Sequence, residues 1–299
     1  MLNLRLPSTS SPFSAQQPMP FVAIPDAVKT ADILVESGPL TVRLVRSKKD
    51  IKAAQALRYR IFYKSMGAHP KFRHRLMQVD SDRYDALCDH LLLTTREKVN
   101  KAPKKTRLDT GETVVGCYRL LRRSVAECHG GFYTQNEFDL RPFLSGLGRD
   151  LNILELGRSC VHPEFRSGAA TSLMWRGLGH LVTREGIDLM LGCASFSGTD
   201  PAACAQPLSY LYHRHLAQGP WQIQAHDAHY VEMEMMAADD VDDATARRAL
   251  PPVLRGYIRS GALIGKGAVI DHQFNTVDVL VLMPMQHLSK RYREKYAGE

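Results

Sequence analysis

Two periodicities alternate along the chain, and their order predicts the architecture. Residues 40–45, LTVRLV, alternate as a half-buried strand does. In the following SKKDIKAAQALRYRIF, Ile51, Ala54, Leu57 and Ile61 form one helical stripe, Ser47 and Asp50 have capping-box spacing, and Gly67 supplies a stop. HLLLTT (90–95) and TVVGCYRLL (113–121) read as two strands of a hairpin, joined by the long basic loop REKVNKAPKKTRLDTGE. A short helical passage around TQNEFDLRPFL leads to the strand NILELGRSCV. Next come a helix from about Ala169 to Arg184, striped by Ala170, Leu173, Met174, Leu178 and Leu181, and the strand DLMLGCASF. A helix then carries CAQPLSYLYHRHLA, with Pro207 in its first turn or breaking it. A helix near PPVLRGYIRSGA, strands at LIGKGAVI and VDVLVLM, and a basic C-terminal helix, SKRYREKY, complete the chain. DDVDD lacks the glycine and terminal glutamate of a calcium loop and reads as a solvated loop. The order predicts an α/β protein with a mixed sheet and no internal repeat.

The first 38 residues fall outside this pattern: PSTSSPFSAQQPMP has no periodicity, so a disordered tail over 1–38 is expected before one domain over 39–299. With 44% hydrophobic residues in 299, that domain can bury a substantial core. No apolar run reaches the roughly 18 residues of a bilayer span and the first residues lack a secretion signal, so the expected location is the cytoplasm. Six cysteines without a C-x-x-C pair predict reduced thiols and no zinc site. The net charge of +8 favours an anionic partner: nucleic acid, an acidic carrier protein or an anionic lipid surface. Without a zinc-finger or RNP signature, nucleic acid is not expected.

Candidate chemistry concentrates in LELGRSCVHPEFRSGAATSLM, residues 154–174, a strand, a turn and a helix start. The first N–H groups of a helix lack partners and suit an acyl or phosphate group. A pyrophosphate cradle normally needs several glycines, whereas Gly168 is followed by Ala169, Ala170 and Thr171. Glu155, flanked by leucines, is a candidate general base, because apolar surroundings raise a carboxylate's pKa; the alternative is a structural ion pair with Arg158 or another arginine. In a regular strand Glu155 and Arg158 face opposite ways. Gly157 between them marks a bulge that brings both to one face. Cys160 and His162 suggest an acyl-enzyme but lack a third orienting group. The histidines of HRH and HDAH have no spacing that completes a metal site.

The ordered motifs LRYRIFYKSMG, DSDRYDALCDHLLL, VVGCYRLLR, GGFYTQNEFDL, ELGRSCVHPEFR and GYIRSGALIGKGAVIDHQFNTVDVLVL resemble those of the ornithine N-alpha-acyltransferases of ornithine-lipid synthesis. These enzymes, also labelled hemolysin-like, belong to the GNAT-like acyltransferases and are similar in fold to acyl-homoserine-lactone synthases. The resemblance covers about residues 40–290 and leaves the N-terminal tail outside. It implies a mixed, mostly antiparallel sheet flanked by helices, with a family-specific C-terminal part from about residue 219. It also implies transfer of a 3-hydroxyacyl chain from acyl carrier protein to the α-amine of L-ornithine, giving lyso-ornithine lipid. The donor is then 3-hydroxyacyl-phosphopantetheine on the carrier, and no cofactor is bound permanently.

Within that expectation Glu155 is the base, and the bulge frees a backbone N–H near Ser159 or Cys160 for the thioester oxyanion. Arg119 and Arg158 are expected to clamp the acceptor carboxylate. Asp80, Asp82, Asp85 and Asp89 are candidates for its ammonium groups, while Arg58 and Phe62 border the cleft as in the family. Tyr210 or Tyr212 is a weaker candidate for protonating the leaving thiolate. Arg166, Gly168 and Ala169 are expected to meet the single phosphate of the pantetheine arm. The basic segment 101–107 and SKRYREKY are expected to dock the acidic carrier or contact an anionic membrane face peripherally. Three alternatives stand beside this reading. An acyl-homoserine-lactone synthase is disfavoured by chain length and by QFNTVDVLVL; a generic CoA-dependent acetyltransferase, by the glycine-poor turn. A non-catalytic surface-binding protein would tolerate Glu155→Ala.

Overall fold

The computed structural model describes residues 33–166 and 168–288, where the two periodicities resolve into one ten-stranded sheet with helices on its faces. The strands are β1 (Ile33–Ser37), β2 (Leu40–Leu44), β3 (Asp89–Thr95), β4 (Thr113–Arg122), β5 (Phe138–Asp139), β6 (Ile153–Val161), β7 (Leu189–Ser197), β8 (Gln224–Ala225), β9 (Leu263–Asp271) and β10 (Thr276–Pro284). Their spatial order is β1-β2-β3-β4-β6-β7-β10-β9-β8-β5. Neighbours are antiparallel except β6 with β7 and β8 with β9. Of the tail expected over 1–38, residues 1–32 lie outside the described residues. Ile33–Ser37 is a strand: Gly38, at φ 55, makes a tight turn that pairs it with β2. The Gly38–Pro39 step that reads as a domain boundary is that turn. SKRYREKY also lies outside the described residues.

Helix α1 (Lys48–Tyr59) starts at Ser47, whose hydroxyl accepts the Asp50 N–H. It runs on as a π-helical turn, Arg60–Ser65, and the chain leaves it through Gly67 at φ 80. The apolar stripe of α1 covers one sheet face, where Ala53, Ala54, Leu57 and Ile61 join Leu92, Val114, Cys117 and Cys160. The other face receives the longest described helix, Gly168–Glu185, which packs Leu173, Met174, Leu178 and Leu181 with Val42, Leu91, Leu93 and Val115. Gly177 lets this helix approach β2, since a Cβ there would come within 2.4 Å of Val42 Cγ1. Pro207 falls in the first turn of the helix Ala205–His215, where its missing N–H costs nothing. DDVDD is not a plain loop: Asp242 accepts the N–H groups of Ala244 and Thr245 and caps the helix Asp243–Ala249. Among the described residues no helix is long and apolar enough to cross a membrane.

The site is set by the fork between β6 and β7. Their parallel register runs from Ile153↔Leu189 to Glu155↔Leu191 and stops there. Gly192 follows with φ 157, and a Cβ there would lie 2.2 Å from the Leu156 carbonyl oxygen. On the other edge of β6, Gly157 pairs with Arg119 and Cys160 with Cys117. Arg158 and Ser159 therefore span the interval that Tyr118 alone fills on β4, with Arg158 in left-handed conformation at φ 53. This is the bulge that Gly157 signals, displaced one residue along the chain.

Candidate active site

A cavity of about 210 Å3 opens in the fork. Leu156, Gly157, Arg158 and Ser159 of β6 face Cys193, Ala194 and Ser195 of β7 across it, and Glu155, Arg119, Phe62 and Tyr133 also line it. The bulge thus puts Glu155 and Arg158 on one cavity.

Glu155 is 4% exposed and is held by the 3-10 turn Tyr133–Asn136. Its Oε1 accepts the Thr134 N–H (2.6 Å) and the Thr134 hydroxyl (2.5 Å), and its Oε2 accepts the Tyr133 N–H (2.8 Å). Burial raises its pKa, and these three hydrogen bonds only partly oppose that. No arginine pairs with it within 4.0 Å among the described residues, so the ion pair with Arg158 is not formed. Oε2 takes a single N–H and keeps a lone pair for a proton.

The arginines are held by the acidic segment before β3. Arg58 is completely buried; its Nε reaches Asp80 Oδ2 at 2.9 Å and its Nη2 reaches Asp85 Oδ1 at 2.8 Å. Asp80, Asp85 and Arg58 do not line the cavity: they form a buried ion cluster behind its wall. Burial opposes ionisation of Asp85, yet Arg58 and Arg119 outweigh it and hold its carboxyl down at about 2. Arg119 Nη1 reaches Asp82 Oδ1 at 2.6 Å, and Arg158 Nη2 reaches Asp82 Oδ2 at 3.3 Å. Burial works against charge on Arg158, but Tyr133, Asp80 and Asp82 outweigh it. Its guanidinium lies between the rings of Tyr133 (4.9 Å) and Phe274 (4.4 Å), a cation–π clamp that fixes its plane. The acids expected to meet an acceptor's ammonium are thus occupied with arginines, because a buried guanidinium needs a counter-charge before any ligand arrives. Asp89 likewise pairs with Arg122, at 2.8 Å.

Of the remaining expected residues, Phe62 reaches the cavity from the π turn, and Ser159 lines it at the bulge. Cys160 is back in register with Cys117 and buried under α1, its Sγ 3.6 Å from Cys117 Sγ. Cys117 and burial push its thiol up, so Cys160 supplies neither a bulge position nor a ready thiolate. Arg166, Gly168 and Ala169 are exposed at the start of the helix Gly168–Glu185, outside the cavity lining. Arg166 Nε donates to Val161 O (3.1 Å), and a Cβ at Gly168 would meet open space. Tyr210, bonded to His215 at 3.0 Å, and Tyr212 are not in the lining. His213 and His226 bond separate carbonyls, of Met236 and Gln135.

The sequence reading missed Tyr133, Glu137, Asp271, Phe274 and Asp278, all of which line the cavity. Carboxylate oxygens of Glu137, Asp271 and Asp278 lie within 4.8 Å of one another, close enough to hold a cation. Asp278 carried a signal: it is a carboxylate inside VDVLVL, and every residue of β10 is buried.

A family model described as an acetyltransferase (GNAT) domain matches residues 57–176, from α1 across the first arm of the fork. An L-ornithine N(alpha)-acyltransferase of Brucella abortus (strain 2308) is 40% identical over 290 residues, covering 97% of this chain and 98% of that protein. An L-ornithine N(alpha)-acyltransferase of Agrobacterium fabrum (strain C58 / ATCC 33970) is 39% identical over 262 residues, 88% of this chain and 86% of that protein. Among solved structures, the AHL synthase LasI aligns with a TM-score of 0.42 at 13% identity, over 87% of this chain and 95% of that one. Since the first relative matches along nearly the whole of both chains, including both arms of the fork, the chain belongs to the L-ornithine N(alpha)-acyltransferase family, acyltransferases with a GNAT-like fold.

Proposed function

We propose that the chain transfers a 3-hydroxyacyl group from the phosphopantetheine of acyl carrier protein to the α-amine of L-ornithine, giving lyso-ornithine lipid, the first step of ornithine-lipid synthesis. The observation that carries this reading is the fork itself. It gathers a buried carboxylate with a raised pKa and a free lone pair, Glu155, and two cationic side chains, Arg119 and Arg158, in one small cavity. The α-ammonium of an amino acid is protonated at neutral pH, even a peptide's terminal amine losing its proton only near about pH 8, so aminolysis needs a base. Glu155 Oε2 takes that proton. The neutral amine attacks the thioester carbon, the C–N bond forms as the C–S bond breaks, and the pantetheine thiolate leaves and is protonated. Arg119 and Arg158 supply guanidinium N–H groups for the acceptor carboxylate from rigid positions.

A separate groove of about 970 Å3 favours a carrier-protein donor. Lys48, Lys49 and Lys52 of α1 line it together with Lys104, Lys105 and Arg107 of the β3–β4 loop, and although Asp82 and Asp85 also border it, the lining is net cationic and suits an acidic partner. The same charges suit a peripheral contact with anionic lipid at the cytoplasmic membrane face.

The test incubates the purified chain with L-ornithine and 3-hydroxyacyl carrier protein and looks for lyso-ornithine lipid by mass spectrometry. Acyl-CoA, lysine, glutamine and S-adenosylmethionine are run in parallel. Acylation of another acceptor without ornithine product overturns the substrate assignment. Charge reversal at Lys104 and Lys105 is expected to raise the apparent KM for the carrier donor at least about tenfold, with strong salt dependence in the wild type. An unchanged KM removes the groove from carrier docking.

A further inference from the structure

Among the described residues the other buried acids have a cation or several hydrogen-bond donors. Asp50 and Glu112 pair with Arg43, Asp80 and Asp85 with Arg58, and Glu155 takes three hydrogen bonds. The cluster of Glu137, Asp271 and Asp278 has no cation, and its one buried member, Asp278, keeps an unpartnered oxygen. Among the described residues no lysine or arginine lies within 4.0 Å of any of the three. Glu137 accepts the Cys193 thiol at 3.2 Å, and Asp271 Oδ1 accepts the N–H groups of Gln273 and Phe274, which shape the β9–β10 turn.

Asp278 is 6% exposed, lines the cavity, and its Oδ1 has no hydrogen-bond partner. The hydroxyls of Ser195 and Thr276 lean toward Asp278 and favour its ionised form, but neither closes a well-formed bond to Oδ1. Thr276 Oγ1, 3% exposed and on the same lining, is itself unpartnered. Two buried polar groups on the cavity wall thus lack partners beside a concentration of negative charge, an arrangement that costs stability unless a ligand completes it. Burial, together with Asp278 and Asp271, pushes Glu137 up to about 7; burial and Asp271 push Asp278 up to about 6. The cluster therefore carries less than its formal charge when empty and gains charge as a cation enters.

The cation must fit the chemistry next door. Cys193, which donates to Glu137, is also within electrostatic reach of Glu155, so the acids and the proposed base share one cavity. An acceptor amino acid whose carboxylate meets the arginines and whose α-amine meets Glu155 extends its side chain into the rest of that cavity. We propose that Glu137, Asp271 and Asp278, with the Thr276 hydroxyl, bind the side-chain ammonium of the acceptor and so select a diamino acid over one with an apolar side chain. This rests on the ornithine-acylating reading above and adds the element that sets its specificity. A single ammonium offers three N–H donors, which match the unpartnered Asp278 Oδ1, the unpartnered Thr276 hydroxyl oxygen and a carboxylate oxygen of Glu137 or Asp271.

The test uses the full chain with L-ornithine and L-norvaline, which differ only by the terminal ammonium, as competing acceptors. Asp278→Asn and Glu137→Gln are compared with the wild type by kcat/KM and by calorimetric binding of each amino acid, with circular dichroism as the check on folding. The expected result is a fall of at least tenfold in the ornithine-to-norvaline ratio in both variants, with a parallel loss of ornithine binding. Variants that acylate ornithine with unchanged selectivity overturn this proposal alone. A wild type that acylates no ornithine overturns the functional reading and this proposal with it. Magnesium, calcium and manganese are titrated separately: thermal stabilisation of the wild type but not of Asp278→Asn, with selectivity unmoved, reassigns the cluster to a divalent cation.

Discussion

Replacing Arg58 by methionine separates a structural role from a binding role. The substitution removes a fully buried guanidinium while roughly keeping side-chain length, and leaves Asp80 and Asp85, 3% and 5% exposed, without their main counter-charge. Removing one partner of a buried pair costs about 3–5 kcal/mol. A second route gives a compatible figure. The Asp85 carboxyl, held at about 2 against an ordinary 3.8, corresponds to about 2.4 kcal/mol of stability at neutral pH, at roughly 1.36 kcal/mol per tenfold in proton affinity. Because the folded pKa is depressed, that stabilisation is complete above about pH 4 and is lost as pH falls toward 2. The substitution also leaves Asp80, whose Oδ2 lies 2.9 Å from Arg58 Nε, buried without that partner. Urea unfolding from pH 3 to 7, with steady-state kinetics on folded protein, checks both parts. Arg58→Met should lose about 3–5 kcal/mol at pH 7, and its acid limb should begin at higher pH, since Asp85 then protonates more readily. If Arg58 instead gripped the acceptor carboxylate, the variant would hold its stability within about 1 kcal/mol while the acceptor KM rose some thirtyfold or more, as loss of a charged contact worth 2–5 kcal/mol requires. That outcome refutes the buried-cluster assignment.

Glu155→Gln should lower kcat by about 10²–10⁴ with the fold retained by circular dichroism, because the amide cannot take the α-ammonium proton. In the wild type, activity should fall as pH drops through a value above the ordinary 4.5 of glutamate, since burial raises the Glu155 pKa and only the ionised form is a base; a variant keeping a third of the activity rules Glu155 out. Gly192→Ala sets a Cβ 2.2 Å from a backbone oxygen that no side-chain rotation can clear, so a loss of about 1–3 kcal/mol and a Tm lowered by several degrees are expected. A Tm within about 1 °C of the wild type shows that the fork does not depend on this close approach.

How legible each part was follows from how local its cause is. The stripe Ile51, Ala54, Leu57, Ile61 and the runs of β3, β4, β6 and β7 carry their own periodicity, so those elements emerge from sequence. β5 and β8 are two residues long and exist only through pairing with distant segments, so no local pattern marks them. Asp242 was readable as a cap, but the surrounding acids resembled a solvated loop. In the site, Glu155, Arg158, Arg119 and Phe62 follow from a glycine-marked bulge and family motifs. Arg58, Asp80 and Asp85, expected to meet the acceptor, lie outside the cavity lining, because whether an arginine faces a cavity or an acid depends on strands that fold back from elsewhere. The cluster of Glu137, Asp271 and Asp278 joins residues more than 130 positions apart in the chain, through β10 lying beside β7, and nothing near Glu137 in sequence announces it.

Several departures from local rules gather around the fork. Helix α1 widens into a π turn that delivers Phe62, Arg158 takes a left-handed conformation, β6 carries an extra residue, and Gly192 admits a backbone contact that no side chain allows. Each of these costs stability: a left-handed non-glycine residue alone costs about 1–2 kcal/mol. The ion cluster offsets that cost. Asp80 and Asp82, set in place by Arg58 and Arg119, are the acids that hold Arg158 at the bulge, while Tyr133 and Phe274 fix its plane. Arg58, Asp80 and Asp82 thus bear on the site without lining the cavity, because they hold Arg158 in place at the bulge. Local conflict of this kind persists where function requires it, and here the surrounding charges supply the compensation.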